Sequence, residues 1–271
     1  MLVSGPQVRP AASARVTNRS SRCVVRARAS AEYETLRGKT VYKASSGEPV
    51  ELLSLWDASS GSKAVIPFLT HFADLSSWEY AQQLLKLLPT LEASDVRVLV
   101  VGLGSVGNAQ AFSRALSFPP SRLLACPSPD LYRALGFSPG LAPDLPLSPA
   151  LKLLPMLAGL GSPGTLQEVL RGYTGDPSAP ALFPSPSPFD LLGGPGALRP
   201  MELATRRLFN MGGILPAWGD LAPPDPRLLT QQGGTLVFSG TSLLLKHVDS
   251  GILRYADPRV VMQAALGAEF R

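Results

Sequence analysis

The spacing of hydrophobic and polar positions changes period several times along the chain, and each change marks an element. Residues 40–43 and 50–53 are short strand-like runs on either side of Ser46-Gly47-Glu48, a hairpin leading into Leu55-Trp56-Asp57. Ala64 to Thr70 is a nearly continuous apolar run of strand length, weakened as a strand by Pro67, which has no N–H to donate. The period then lengthens. Leu75, Trp78, Ala81, Leu85 and Leu88 recur at helical spacing, and Pro89 predicts the end of that helix. Val96 to Leu103 reads as a second buried strand, which completes a βαβ unit with a parallel pair.

A helix fits Asn108 to Leu116 and a third strand fits Arg122 to Cys126. The turn Pro127-Ser128-Pro129-Asp130 opens a short helix over Leu131 to Leu135, with Gly136 as its C-terminal cap. The pattern then loses its period. Of 27 prolines, 17 lie between Pro139 and Pro226, so only short helices are predicted there, at 151–157, 166–171 and 201–210. Order returns with a hairpin, Thr235 to Ser239 and Ser242 to Val248, and a last helix from Asp257-Pro258 to Leu266. This order is that of an α/β, thioredoxin-like fold: a central mixed sheet flanked by helices. It spans residues 32–271 and is interrupted by a Pro/Gly-rich insert at about 139–226.

The formal charge of +5 would suggest a nucleic-acid partner if it were evenly spread. It is not. Residues 1–31 hold six arginines and no acid, leaving 19 basic against 20 acidic residues elsewhere, which argues against nucleic acid. A basic, Ser- and Ala-containing, acid-free segment with no continuous apolar core has the composition of a transit peptide, and a chloroplast, specifically its stroma, is the expected destination. The apolar run 141–161 reaches spanning length but contains Asp144, Lys152 and four prolines, so no transmembrane segment is expected. Two histidines and two cysteines, one of them Cys23 in the basic segment, are too few for an ordinary zinc site; no metal and no cofactor are expected.

The chemistry is concentrated at Thr70-His71-Phe72-Ala73-Asp74-Leu75-Ser76-Ser77-Trp78-Glu79, where strand gives way to helix. A thioredoxin-like fold carries Cys-x-x-Cys at such a junction, because helix N-terminal N–H groups and the macrodipole stabilise a thiolate there. Here Asp74 and Ser77 stand at those two positions, with His71 and Glu79 as neighbours, and neither can form a disulfide. Asp74 is expected to cap the helix, and His71 to be a half-buried strand-end side chain.

This stretch resembles the Arg-His-Phe-Gly-Cys-x-x-Cys-x-Glu-like motif of the peroxiredoxin-like 2 group, of alkyl hydroperoxide reductase/thiol-specific antioxidant type. The block from Val100-Val101-Gly102-Leu103-Gly104 through Phe118-Pro119 to Tyr132 and Leu135-Gly136 is similar to a second run of that family. Gln231-Gln232-Gly233-Gly234-Thr235-Leu236-Val237-Phe238 looks like its strand beside the redox site. The resemblance implies a thioredoxin-like fold and an antioxidant redox ancestry. Both motif cysteines are replaced, Arg becomes Thr70 and Gly becomes Ala73.

Three rival chemistries remain. Gly102-Leu103-Gly104-Ser105-Val106-Gly107 fits a dinucleotide fingerprint, but the acid expected at the end of the next strand is missing, which favours a tight turn. His71, Asp74 and Ser77 have the residue types of a hydrolase triad, yet Ser77 falls inside a first helical turn. Cys126 is the alternative redox thiol, and His247 reads as a solvated strand residue. The expectation is a degenerate redox site in a noncatalytic binding or scaffold protein with an unknown protein partner, for which the 139–226 insert is the candidate surface. The alternatives are a thiol oxidoreductase acting through Cys126 and, more weakly, a dinucleotide-binding oxidoreductase.

Overall fold

A computed structural model describes residues 29–143, 145 and 147–267. The predicted transit peptide therefore lies, but for its last residues, outside the described residues. In chain order the regular elements begin with α1 (Ala31–Leu36), β1 (Thr40–Lys43), β2 (Pro49–Glu51), β3 (Lys63–His71), α2 (Leu75–Ala93), β4 (Val96–Val98) and β5 (Val100–Leu103). They continue with α3 (Val106–Leu116), β6 (Leu123–Cys126), α4 (Asp130–Ala134), α5 (Pro149–Leu157), α6 (Thr165–Thr174) and β7 (Asp176–Pro180). The last are β8 (Ala197–Leu198), α7 (Glu202–Ile214), α8 (Trp218–Leu221), β9 (Gly234–Ser239), β10 (Ser242–Val248) and α9 (Pro258–Leu266).

The main sheet runs β10-β9-β3-β5-β6-β1-β2, with β4 also paired to β3. Strands β3, β4, β5 and β6 pair in parallel, while β9, β10, β1 and β2 join antiparallel, so the sheet is mixed. Alternate residues of each strand feed opposite faces. Val65, Leu69, Val98, Val100 and Val237 pack with α2, α3 and α9, while Ile66, Phe68, Val101, Leu103 and Phe238 pack with Leu36, Leu131 and Trp56. This is the thioredoxin-like arrangement, and the first strand of its first parallel unit, β3, ends at the Thr70–Glu79 junction.

Two boundaries differ from the sequence reading, both at prolines. Val96 to Leu103 is two strands, because a residue in a parallel ladder bonds to two residues of its neighbour. Leu99 N–H reaches Val65 O at 3.0 Å, but Pro67 has no N–H to return to Leu99. Helix α2 runs through Pro89 to Ala93. Its last turn survives the missing donor because Leu88 and Leu91 are buried and Ser94 N–H closes on Thr90 and Leu91 carbonyls.

The insert is more regular than its prolines suggest. It holds the 13-residue α7, the 10-residue α6 and a two-stranded ribbon of β7 and β8. It is tied to the core by Gln82–Asn210 and Asn108–Asp220 hydrogen bonds and by an ion pair described below. Inside it, buried Arg199 and Glu202 pair at 2.8 Å, and Glu202 also accepts from the Leu182, Phe183 and Arg199 N–H groups. Among the described residues no helix is long and apolar enough to cross a membrane.

Candidate functional site

Strand β3 delivers Thr70 and His71 to the start of α2, and Asp74 is the N-cap of that helix. The Ser77 N–H donates to Asp74 Oδ2 at 3.2 Å, as a cap requires. Thr70 Oγ1 donates to the same oxygen at 2.7 Å and lies 2.8 Å from Ser77 Oγ. Asp74, Ser77 and Thr70 thus form one closed hydrogen-bonded triangle at the positive end of a 19-residue helix. The loop before it is pinned by Trp78 Nε1, which donates to Phe72 O at 2.9 Å.

His71 is buried at 4% exposure, not half-buried. Its strand-end position is roofed by the insert, with Trp218 edge-on at 6.4 Å. Burial holds its imidazole below the ordinary range, against the pull of Asp74 and the Leu229 backbone, so it is neutral at pH 7. Its Nδ1 has no hydrogen-bond partner. No relay from His71 to Ser77 is built: the Ser77 hydroxyl sits with Thr70, which leaves the triad reading without its central hydrogen bond.

Glu79, one turn further along α2, is buried beside an arginine from the insert. Arg207 Nε donates to Glu79 Oε1 at 2.6 Å, and the Tyr255 hydroxyl reaches Oε2 at 3.3 Å. Burial raises the Glu79 pKa and Arg207 opposes it. This carboxylate therefore fastens α7 to α2, a role that the sequence reading of Glu79 as a slot neighbour missed.

Another carboxylate lies just past the end of β10. Asp249 is buried, and its pKa is pushed up to about 6 by burial, opposed by His247 and reinforced by Asp74. His247 Nε2 lies 3.3 Å from Asp249 Oδ1 but is not aligned for a hydrogen bond, so both atoms lack one. The His247 side chain thus turns its buried Nε2 toward a buried acid and is not the freely solvated residue expected of its strand pattern.

Cys126 ends β6, in register with Leu103, which is itself in register with His71. Two strand spacings, about 10 Å, separate it from the slot. It also belongs to the opposite face of the sheet, packed with Leu103, Leu131 and Tyr132. Burial pushes its thiol up to about 11, and its Sγ donates to Ser128 O. The glycine-rich turn has a structural explanation. A Cβ on Gly102 would lie 2.4 Å from the Phe72 ring, and Gly104, at φ +142°, is closed over by Phe72 and Asn108. Ser105 and Asn108 form a reciprocal capping box there, which occupies the helix end a pyrophosphate would need.

If the triangle acts as a cap, Asp74→Ala should lower the unfolding free energy by about 0.5–2 kcal/mol, and Asp74→Asn by less. Urea denaturation of the three proteins measures both. Equal stability of wild type and Asp74→Ala would remove the cap from the energetics of α2.

The mixed sheet, the flanking helices and the strand-to-helix slot define a thioredoxin-like protein. The model of the AhpC/TSA antioxidant enzyme family matches residues 83–251, more than half of the chain, and the chain belongs to that family. No curated protein matches it. The matched span begins downstream of Glu79, so it includes Cys126 and Asp249 but not Asp74 or Ser77.

Proposed function

We propose that this member of the family is a noncatalytic binding or scaffold protein of the chloroplast stroma, whose redox slot has become a helix cap. The observation that carries this reading is the Thr70–Asp74–Ser77 triangle, in which every chemical position of the slot is occupied by a group engaged in structure. An oxygen at either position accepts or donates hydrogen bonds but cannot be oxidised to a disulfide or a sulfenic acid. The composition of residues 1–31 supports the plastid address, and the insert offers the surface for a protein partner.

Membership of a family of antioxidant enzymes favours a second reading, a thiol oxidoreductase acting through Cys126. A thiol held near 11 on the far face of the sheet argues against it, since the thiolate is the nucleophile. The purified chain should show no turnover of hydrogen peroxide or of a small disulfide with a dithiol reductant. Turnover lost in Cys126→Ser would establish the second reading, and turnover that survived it would overturn both.

A further inference from the structure

We propose that the outward face of α5 and α6 is the interface of a two-fold dimer of this chain. Among the described residues, 17 of the 20 large hydrophobic side chains left exposed lie between 139 and 226, so the exposure is localised and not a general property of the surface. Leu151, Leu154 and Leu157 recur at helical spacing on α5, and Leu166, Leu170 and Tyr173 do so on α6. Leu160 continues the row between the helices, while Met156, Thr165 and Gly172 supply the buried sides.

Two features of this face point to a second copy. The first is area. Seven such side chains, each about half exposed, leave on the order of 600 Å² of apolar surface. That is at the top of the roughly 300–600 Å² patch of an ordinary monomer and near the ~800 Å² each partner gives to a stable interface. The second is charge. Across a two-fold axis a patch meets itself, so a charge near the axis would face its like, and one further out would be buried unless the same patch supplied its opposite. The ionic groups of these helices are turned away or neutralised. Lys152 is buried with Nζ donating to Pro143 O, and Glu168 holds both Arg171 and Arg254. Arg171 is bound in addition by Asp176. The same pairing leaves the cations flanking α6 engaged, whereas a helix that lies on a bilayer keeps its cations for headgroups.

The proposal rests on the binding role given above, whose occupant it names; its test reads mass where that of the role reads turnover, so each can fail alone. Light scattering on the full chain at tens of micromolar should give twice the 28.6 kDa chain mass. Leu154→Glu with Leu170→Glu, both at exposed positions, should weaken the dimer at least 100-fold and give the monomer mass with an unchanged circular dichroism spectrum. Leu244→Glu, exposed on β10, should leave the dimer intact. A monomeric wild type would overturn the proposal, and one that also floated with phosphatidylcholine vesicles would assign the face to a bilayer. A double variant that remained dimeric would likewise overturn it.

Discussion

Arg207→Leu should cost the fold about 3–5 kcal/mol at neutral pH, because it leaves a buried carboxylate without its cation. Glu79 is 3% exposed and has Arg207 and one tyrosine hydroxyl as polar partners. Its pKa is already raised by burial, and the guanidinium is the main influence holding it down. A raised folded pKa means that the native state keeps a proton the unfolded chain has lost, so stability falls as pH rises through that window. In the variant the window widens. The deficit relative to wild type should therefore be largest near pH 7.5 and shrink towards pH 5, opposite to ordinary acid denaturation. Adding Glu79→Gln should recover much of the loss. Urea titrations at three pH values check both expectations; a deficit independent of pH and not rescued by glutamine would mean that Glu79 is not left as an unpaired charge.

Asp249→Asn should act in the opposite direction, stabilising the protein by up to about 3 kcal/mol at pH 7.5 and by little at pH 4. The folded carboxyl titrates near 6 against an ordinary 3.8, burial being the chief cause. Between those values the folded protein is protonated and the unfolded chain is ionised, so wild type loses stability as pH rises from about 4 to about 6. Asparagine removes this slope. His247 opposes the shift and Asp74 reinforces it, so the gain measures the net field in which the slot sits. Equal pH dependence of the two proteins in thermal unfolding would show that Asp249 is solvated.

These two acids mark the boundary of what the sequence discloses. Local patterns found the strands of the main sheet, though not the ribbon of β7 and β8, together with the Asp74 cap and the hairpin around Gly240, because each depends on residues within one turn or one ladder. Thr70 stands four residues before Asp74 and could have been read as its partner. Arg207 could not, since it meets Glu79 across 128 residues, and the helix predicted at 201–210, which the structure extends as α7 to Ile214, shows no local sign of the neighbour it packs on. Asp249 reads as a turn residue after β10, and only the sheet order β10-β9-β3 brings it near Asp74. The glycine run reads as a tight turn, as it is, but what fills that turn lies outside local pattern. Its short residues make room for Phe72, a side chain from the neighbouring loop, and not for a ligand.

The central claim is that residues 74–77 occupy the redox position of a thioredoxin-like fold without its chemistry, and restoring the thiols tests it most directly. Asp74 and Ser77 are the N-cap and third residue of α2, and a Ser77 backbone atom lies 3.2 Å from an Asp74 side-chain oxygen. Both side chains also reach Thr70 Oγ1, at 2.7 and 2.8 Å, so the two point to one spot where sulfurs in their place could meet. In a Cys23→Ser background, Asp74→Cys combined with Ser77→Cys should therefore lose two hydrogens by intact mass spectrometry under mild oxidant, keep its circular dichroism spectrum, and retain Cys126 as the unreacted buried thiol. A folded double variant whose introduced thiols both stayed free under the same oxidant would contradict the claim.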